Sequence, residues 1–170
     1  MKKYMLVPAL LLLTAFGTDA DQQYWPQWRG PNLNGVSQAV DLPTTWSLGE
    51  NVVWSKKLPS WSGGTPVIWG DRVFLTSPNS GEEIQGGEKL LLGCLSTVDG
   101  SVLWQRTIDE GNAYWRKHNN TTPSPVTDGE RVLVVSGTGM IRAFDMAGEE
   151  LWHYSLQQQH GNFGLMWGYA

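Results

Sequence analysis

Residues 66–75 read PVIWGDRVFL, and residues 125–134 read PVTDGERVLV in the same register. Five identities fix the alignment: Pro66 with Pro125, Val67 with Val126, Gly70 with Gly129, Arg72 with Arg131 and Val73 with Val132. A second match follows each copy, LSTVDGSVLW ending at Trp104 and FDMAGEELW ending at Trp152. Self-similarity at a period of about fifty residues marks a repeat architecture, and it is read before any single residue.

Each copy predicts four short strands, A to D. The first falls at Thr65–Trp69, Arg72–Ser77, Lys89–Ser96 and Ser101–Thr107. The second falls at Pro123–Thr127, Arg131–Ser136, Met140–Asp145 and Glu149–Ser155. The A–B turns carry Gly70-Asp71 and Asp128-Gly129, and the C–D turns carry Asp99-Gly100 and Ala147-Gly148, residue types that tolerate positive φ. Val132 to Val135 runs without a polar break, so both faces of the sheet need cover. Four-stranded sheets stacked side by side about an axis supply it. Trp104 and Trp152 then plug the seams between sheets. Burying one indole removes roughly 150–250 Å² from water, worth roughly 4–6 kcal/mol at most. Asn51–Leu58 reads as strand D of a preceding sheet, with Trp54 in the tryptophan slot, and Asn162–Ala170 as the approach to a third strand A. Two complete sheets and two part-sheets do not close a ring of about 4–8. The reading is therefore the N-terminal piece of a longer protein, or a truncated product, with open edges that favour aggregation.

The composition agrees with an all-β fold: ten tryptophans, twenty glycines and no long stretch of 3.6-residue apolar period. Lys2 and Lys3, the apolar run Met5–Phe16 and the small residues to Ala20 predict a signal peptide over 1–20, cleaved after Ala20. The expected product is exported, periplasmic or secreted, with no membrane span. Removing 1–20 leaves ten basic against fifteen acidic residues, which argues against nucleic acid as a partner. Cys94 is the sole cysteine, so no intrachain disulfide forms; within LLLGCL it reads as a buried small hydrophobe.

The repeat, with G-x-x-L-W closing strand D and S/T-P-V-x-x-G-x-R-V opening the next sheet, resembles the pyrroloquinoline-quinone-like (PQQ-like) β-propeller family. YWPQWRGPNLNGVS at 24–37, AYWRKHNNTTPSPVTDGERV at 113–132 and NFGLMWGYA at 162–170 are similar to an exported bacterial subgroup. The resemblance implies a quinoprotein-like β-propeller of four-stranded blades, incomplete here. Blades are expected at about 64–108 and 123–156 within a propeller part spanning 51–170. Trp54, Gly100, Trp104, Gly148 and Trp152 are its structural positions. The family includes scaffolds similar to the outer-membrane-assembly propeller as well as quinone-dependent dehydrogenases.

For a dehydrogenase the resemblance implies PQQ, Ca²⁺ held by carboxylate and amide oxygens, a carboxylate base and, in alcohol-oxidising members, a disulfide between adjacent cysteines. This chain has no Cys-Cys pair, and its acidic residues, Asp71, Glu82-Glu83, Asp99, Asp109-Glu110 and Glu149-Glu150, fall mainly in turns. No catalytic, cofactor or metal residue is assigned. His118, His153 and His160 lack a metal spacing, Gly137-Thr138-Gly139 lacks the third glycine of a dinucleotide fingerprint, and no G-x-S-x-G elbow occurs. Asn119 and Asn120 head N-x-T sequons without consequence in a bacterial export setting.

Loop length supplies the functional cue. The A–B and C–D turns are tight. Pro78–Glu88 and Ile108–Thr122 are long and share the other rim with Leu156–Asn162. Tyr114, Trp115, Arg116, Lys117 and His118 put two aromatics beside cations on that rim, residue types enriched at binding hot spots. The expected partner is an envelope protein, or a polysaccharide or other anionic ligand. The segment 21–50 is read as a clamp: Trp25 to Pro31 packs over the rim or funnel, with Arg29 stacked on Trp25 or Trp28. The leading reading is a non-catalytic exported scaffolding module; the alternative is part of a PQQ- and Ca²⁺-dependent dehydrogenase.

Overall fold

The computed structural model describes residues 24–79, 88–115, 117–164 and 168–169, with backbone alone for Tyr114 and Trp115. The signal segment, Glu82-Glu83 and most of the Pro78–Glu88 loop, and Arg116 lie outside the described residues. Five strands form the first sheet in the order β1 (Tyr24–Trp25), β2 (Val67–Trp69), β3 (Arg72–Pro78), β4 (Lys89–Ser96) and β5 (Val102–Glu110). A two-stranded hairpin follows, β6 (Tyr114–Trp115) and β7 (His118–Asn119). The second sheet runs β8 (Val126–Thr127), β9 (Arg131–Val135), β10 (Met140–Asp145) and β11 (Glu150–Ser155), and α1 (Leu156–His160) is the last element among the described residues. All pairings are antiparallel meanders of neighbouring strands. Both C strands have their predicted bounds. The first D strand runs three residues further, to Glu110.

The core lies between the two sheets. Phe74, Leu92, Cys94 and Ile108 of the first pack with Val132, Val134 and Phe144 of the second. Trp104 stands in the seam, its ring 5.8 Å from Phe74 and 6.3 Å from Phe144. Its indole N–H donates to the Met146 carbonyl at 3.0 Å. The ring covers Gly148, where a Cβ would stand 2.7 Å from the indole and φ is +84°. Both requirements explain the glycine. Arg106 adds a bond from Nε to the Gly148 carbonyl at 2.7 Å, and Arg142 one to the Ile108 carbonyl at 2.7 Å.

The Leu-Trp pair of the repeat has a backbone cause. Register shifts at Cys94/Leu95 and again at Ala143/Phe144, so that Leu103 and Leu151 are extra residues on β5 and β11. A bulge rotates the strand, and the tryptophan after it then faces the next sheet. Both leucines are equally exposed, as repeat-equivalent bulge residues should be.

One expectation needs correction. Residues 51–66 form no strand, because no strand C lies beside them to pair with among the described residues. Trp54 nevertheless occupies its slot: its indole donates to the Thr97 carbonyl at 2.7 Å, and its ring covers Gly100. The Trp25–Pro31 segment begins at the inner edge of the first sheet. Tyr24 and Trp25 add a fifth strand to the edge of β2, and the Thr127 amide donates to the Pro26 carbonyl, tying the inner edges of both sheets. Arg29 lies over Trp28, 5.7 Å from its ring centre. The described part of 162–170 packs against the β9–β10 turn. The Tyr169 amide donates to the Gly137 carbonyl, and Phe163 packs on Gly139.

Candidate functional site

The connection from the first sheet to the second is built from buried asparagines. Asn112, Asn119, Asn120 and Thr121 are all buried, with neither hydrophobic partners nor bulk water to explain them. Their hydrogen bonds do. Asn119 Nδ2 donates to the Trp61 carbonyl at 2.9 Å, and its Oδ1 accepts from the Thr121 amide and hydroxyl. The Thr121 carbonyl accepts from the hydroxyls of Ser62 and Thr76, which reaches β3. Asn112 Oδ1 accepts from the Asn120 amide, and its Nδ2 donates to the buried Glu88. Asn120 Nδ2 donates to the Gly111 carbonyl, and its carbonyl accepts from Gly137 of the second sheet. The loop is thus welded to both sheets and to the 60–64 segment. Burial at this depth also closes both sequons to glycosylation.

From this base the β6–β7 hairpin projects, pairing Tyr114 with Asn119 and Trp115 with His118. Its turn carries Arg116, outside the described residues, and the exposed Lys117. His118 is half-buried. Of the five candidate rim residues, Tyr114, Trp115 and His118 lie on the strands of one short hairpin, with the two aromatics on its first strand, and Lys117 adjoins the second. The asparagine hub was missed in sequence. The run N-N-T-T was its signal: two amides and two hydroxyls too short to reach solvent from a loop that must cross between sheets.

The acidic residues are not all turn charges. Asp109 and Glu110 end β5, where Asp109 Oδ2 accepts from the Thr138 hydroxyl, and Glu150 begins β11. Glu150 accepts from Arg142 at 2.5 Å and contacts His153 Nδ1 at 2.6 Å. The His153 bond and then Arg142 hold its carboxyl below the usual range. Asp99 and Asp128 are lowered by turn amides, of Ser101 and Arg131 respectively. Burial pushes the Cys94 thiol up to about 11, so it remains protonated and inert. Among the described residues no three His, Cys, Asp or Glu side chains converge. Those residues do not assemble the carboxylate set that quinone-bound Ca²⁺ requires.

Two antiparallel meanders, packed face to face and joined by an indole-to-turn bond, define a β-propeller blade pair. Residues 45–165 match the family model described as outer membrane protein assembly factor BamB, a PQQ-like repeat. The chain belongs to this PQQ-like β-propeller repeat family. No curated protein matches it. Among the described residues no helix is long and apolar enough to cross a membrane.

Proposed function

We propose that this chain is a non-catalytic binding module of the bacterial envelope, exported and presenting the β6–β7 hairpin to a protein partner. The observation that carries this reading is the hairpin's base. Asn112, Asn119, Asn120 and Thr121 bond mainly to one another and to Trp61, Glu88 and Gly111, and the Thr121 carbonyl reaches Thr76 of β3, so the described base of the hairpin is ordered from within. Preorganisation of this kind lowers the ordering cost of binding. Aromatic and cationic residues at the tip suit a hot spot. A family described as an assembly factor supports a protein partner over a polysaccharide.

A photo-crosslinker at Lys117 tests it in envelope extract. The reading expects one partner band that Trp115→Ala removes at unchanged Tm. Capture unaffected by Trp115→Ala, or a large fall in Tm with that variant, contradicts it. Dye-linked alcohol oxidation dependent on added quinone and Ca²⁺, abolished by chelation, would reverse it in favour of a dehydrogenase.

A further inference from the structure

The charged cluster of the second sheet is missing from the first. Cross-strand pairing aligns the two sheets residue by residue, since Cys94 pairs with Trp104 as Ala143 pairs with Trp152. In that register Gly93 stands at the place of Arg142, Gln105 at that of His153 and Val102 at that of Glu150. On the second sheet this position is filled by Arg142, which pairs with Glu150 and donates to the Ile108 carbonyl. On the first sheet a glycine, a valine and an amide replace the charges. Loss of the arginine side chain leaves a hollow over Gly93. A Cβ added there would meet nothing nearer than Leu95 at 3.5 Å and the Leu75 carbonyl at 3.9 Å.

This hollow is the floor of a cavity of about 400 Å³, roofed by the segment Lys56 to Pro59. Its walls are apolar, from Leu75, Leu91, Leu95 and Val102, and no acidic residue lines it among the described residues. Lys56 and Lys57 are exposed, and no carboxylate of the described residues pairs with either. Val102 is 48% exposed and Gln105 beside it is exposed, so the cavity opens to solvent along β5. An apolar pocket of this size with a few polar groups placed to fix orientation suits a small ligand. The two unpaired cations select an anionic head group. We propose that this cavity binds an anionic amphiphile, an alkyl chain carrying a carboxylate. The chain lies over Gly93 and the carboxylate meets Lys56 and Lys57. The site lies on the face of the first sheet turned away from the second and is independent of the rim hairpin's role.

Titration calorimetry of the full chain with sodium dodecanoate, kept below its micelle concentration, tests the site. Dodecanoate should bind one to one. Dodecyltrimethylammonium, with the same chain and the opposite charge, should bind about tenfold or more weakly. Gly93→Leu should fill the hollow and abolish binding. Val102→Glu restores the repeat's carboxylate at a half-exposed position, where the sheet tolerates it. It should weaken dodecanoate about tenfold with unchanged circular dichroism, as should Lys56→Gln combined with Lys57→Gln. The proposal is overturned if the folded wild type does not bind dodecanoate, or binds the ammonium as tightly. It is equally overturned if Gly93→Leu or Val102→Glu, folded as wild type, keeps full affinity. Flotation with phosphatidylglycerol vesicles but no binding of free dodecanoate overturns it in favour of a lipid surface. A wild-type dimer that Gly93→Leu dissociates, again without dodecanoate binding, overturns it in favour of a second copy.

Discussion

Trp54 and Trp104 make the same bond in different surroundings, one on an unpaired segment and one in a strand. Each indole N–H meets the carbonyl of the first residue after a strand C, Thr97 or Met146, and each ring covers the glycine that follows. The glycines are therefore harder to replace than turn residues in general. Gly148→Ala should cost roughly 2 kcal/mol or more, from both the positive φ and the collision with Trp104. Gly93 supplies the contrast. It lies in β4 at ordinary φ, and an added Cβ would meet Leu95 at 3.5 Å. Gly93→Ala should be neutral or stabilise by up to about 1 kcal/mol. Urea unfolding of both variants checks the pair. Cys94 should resist aromatic disulfide reagents in the native chain and react on unfolding, since its burial keeps the thiol protonated.

At the level of elements, the strands were legible because each depends on local pattern. Glycine turns bounded the runs, and both C strands ended where Ser96 and Asp145 precede their turns. The bulges at Leu103 and Leu151 were hidden, because a one-residue slip leaves an apolar run apolar. The Asn51–Leu58 strand failed for the opposite reason: its pattern is right, but a strand needs a neighbour. The rim residues could be named from sequence, yet their buried base could not, since its bonds join residues about sixty positions apart. Asn119→Ala removes three bonds of this base, one to Trp61 and two to Thr121, and should cost about 3 kcal/mol in denaturant unfolding. Glu150 ties β11 to β10 through Arg142 and holds His153 on its own strand. Its folded pKa is depressed, so its contribution is present above the ordinary glutamate value of about 4.3 and fades as pH falls through the folded value. The Tm gap between wild type and Glu150→Gln should shrink on acidification below that range. Because the side chain is about one-third exposed, it should also shrink with added salt.

The molecule as a whole is a blade pair whose two outward faces carry the halves of its own internal joint. The backward face of the first sheet, Leu75, Leu91 and Leu95, is equivalent to Val134, Met140 and Phe144 of the second. Instead of a full sheet it is overlaid by Lys56 to Pro59, which leaves a cavity of about 400 Å³. Gly70 at that end meets nothing within 4 Å, whereas its counterpart Gly129 is covered by Trp69. Everything about this architecture rests on indoles docked into the turns of the following sheet. Hydrogen exchange of the tryptophan indole N–H groups, resolved by NMR, measures that directly. Trp54 and Trp104 should exchange slowly, with Trp104 the slower because it is locked into a paired strand, and Trp152 should exchange at close to the free rate. A Trp104 indole proton that exchanges as fast as that of Trp152 would contradict the blade pair.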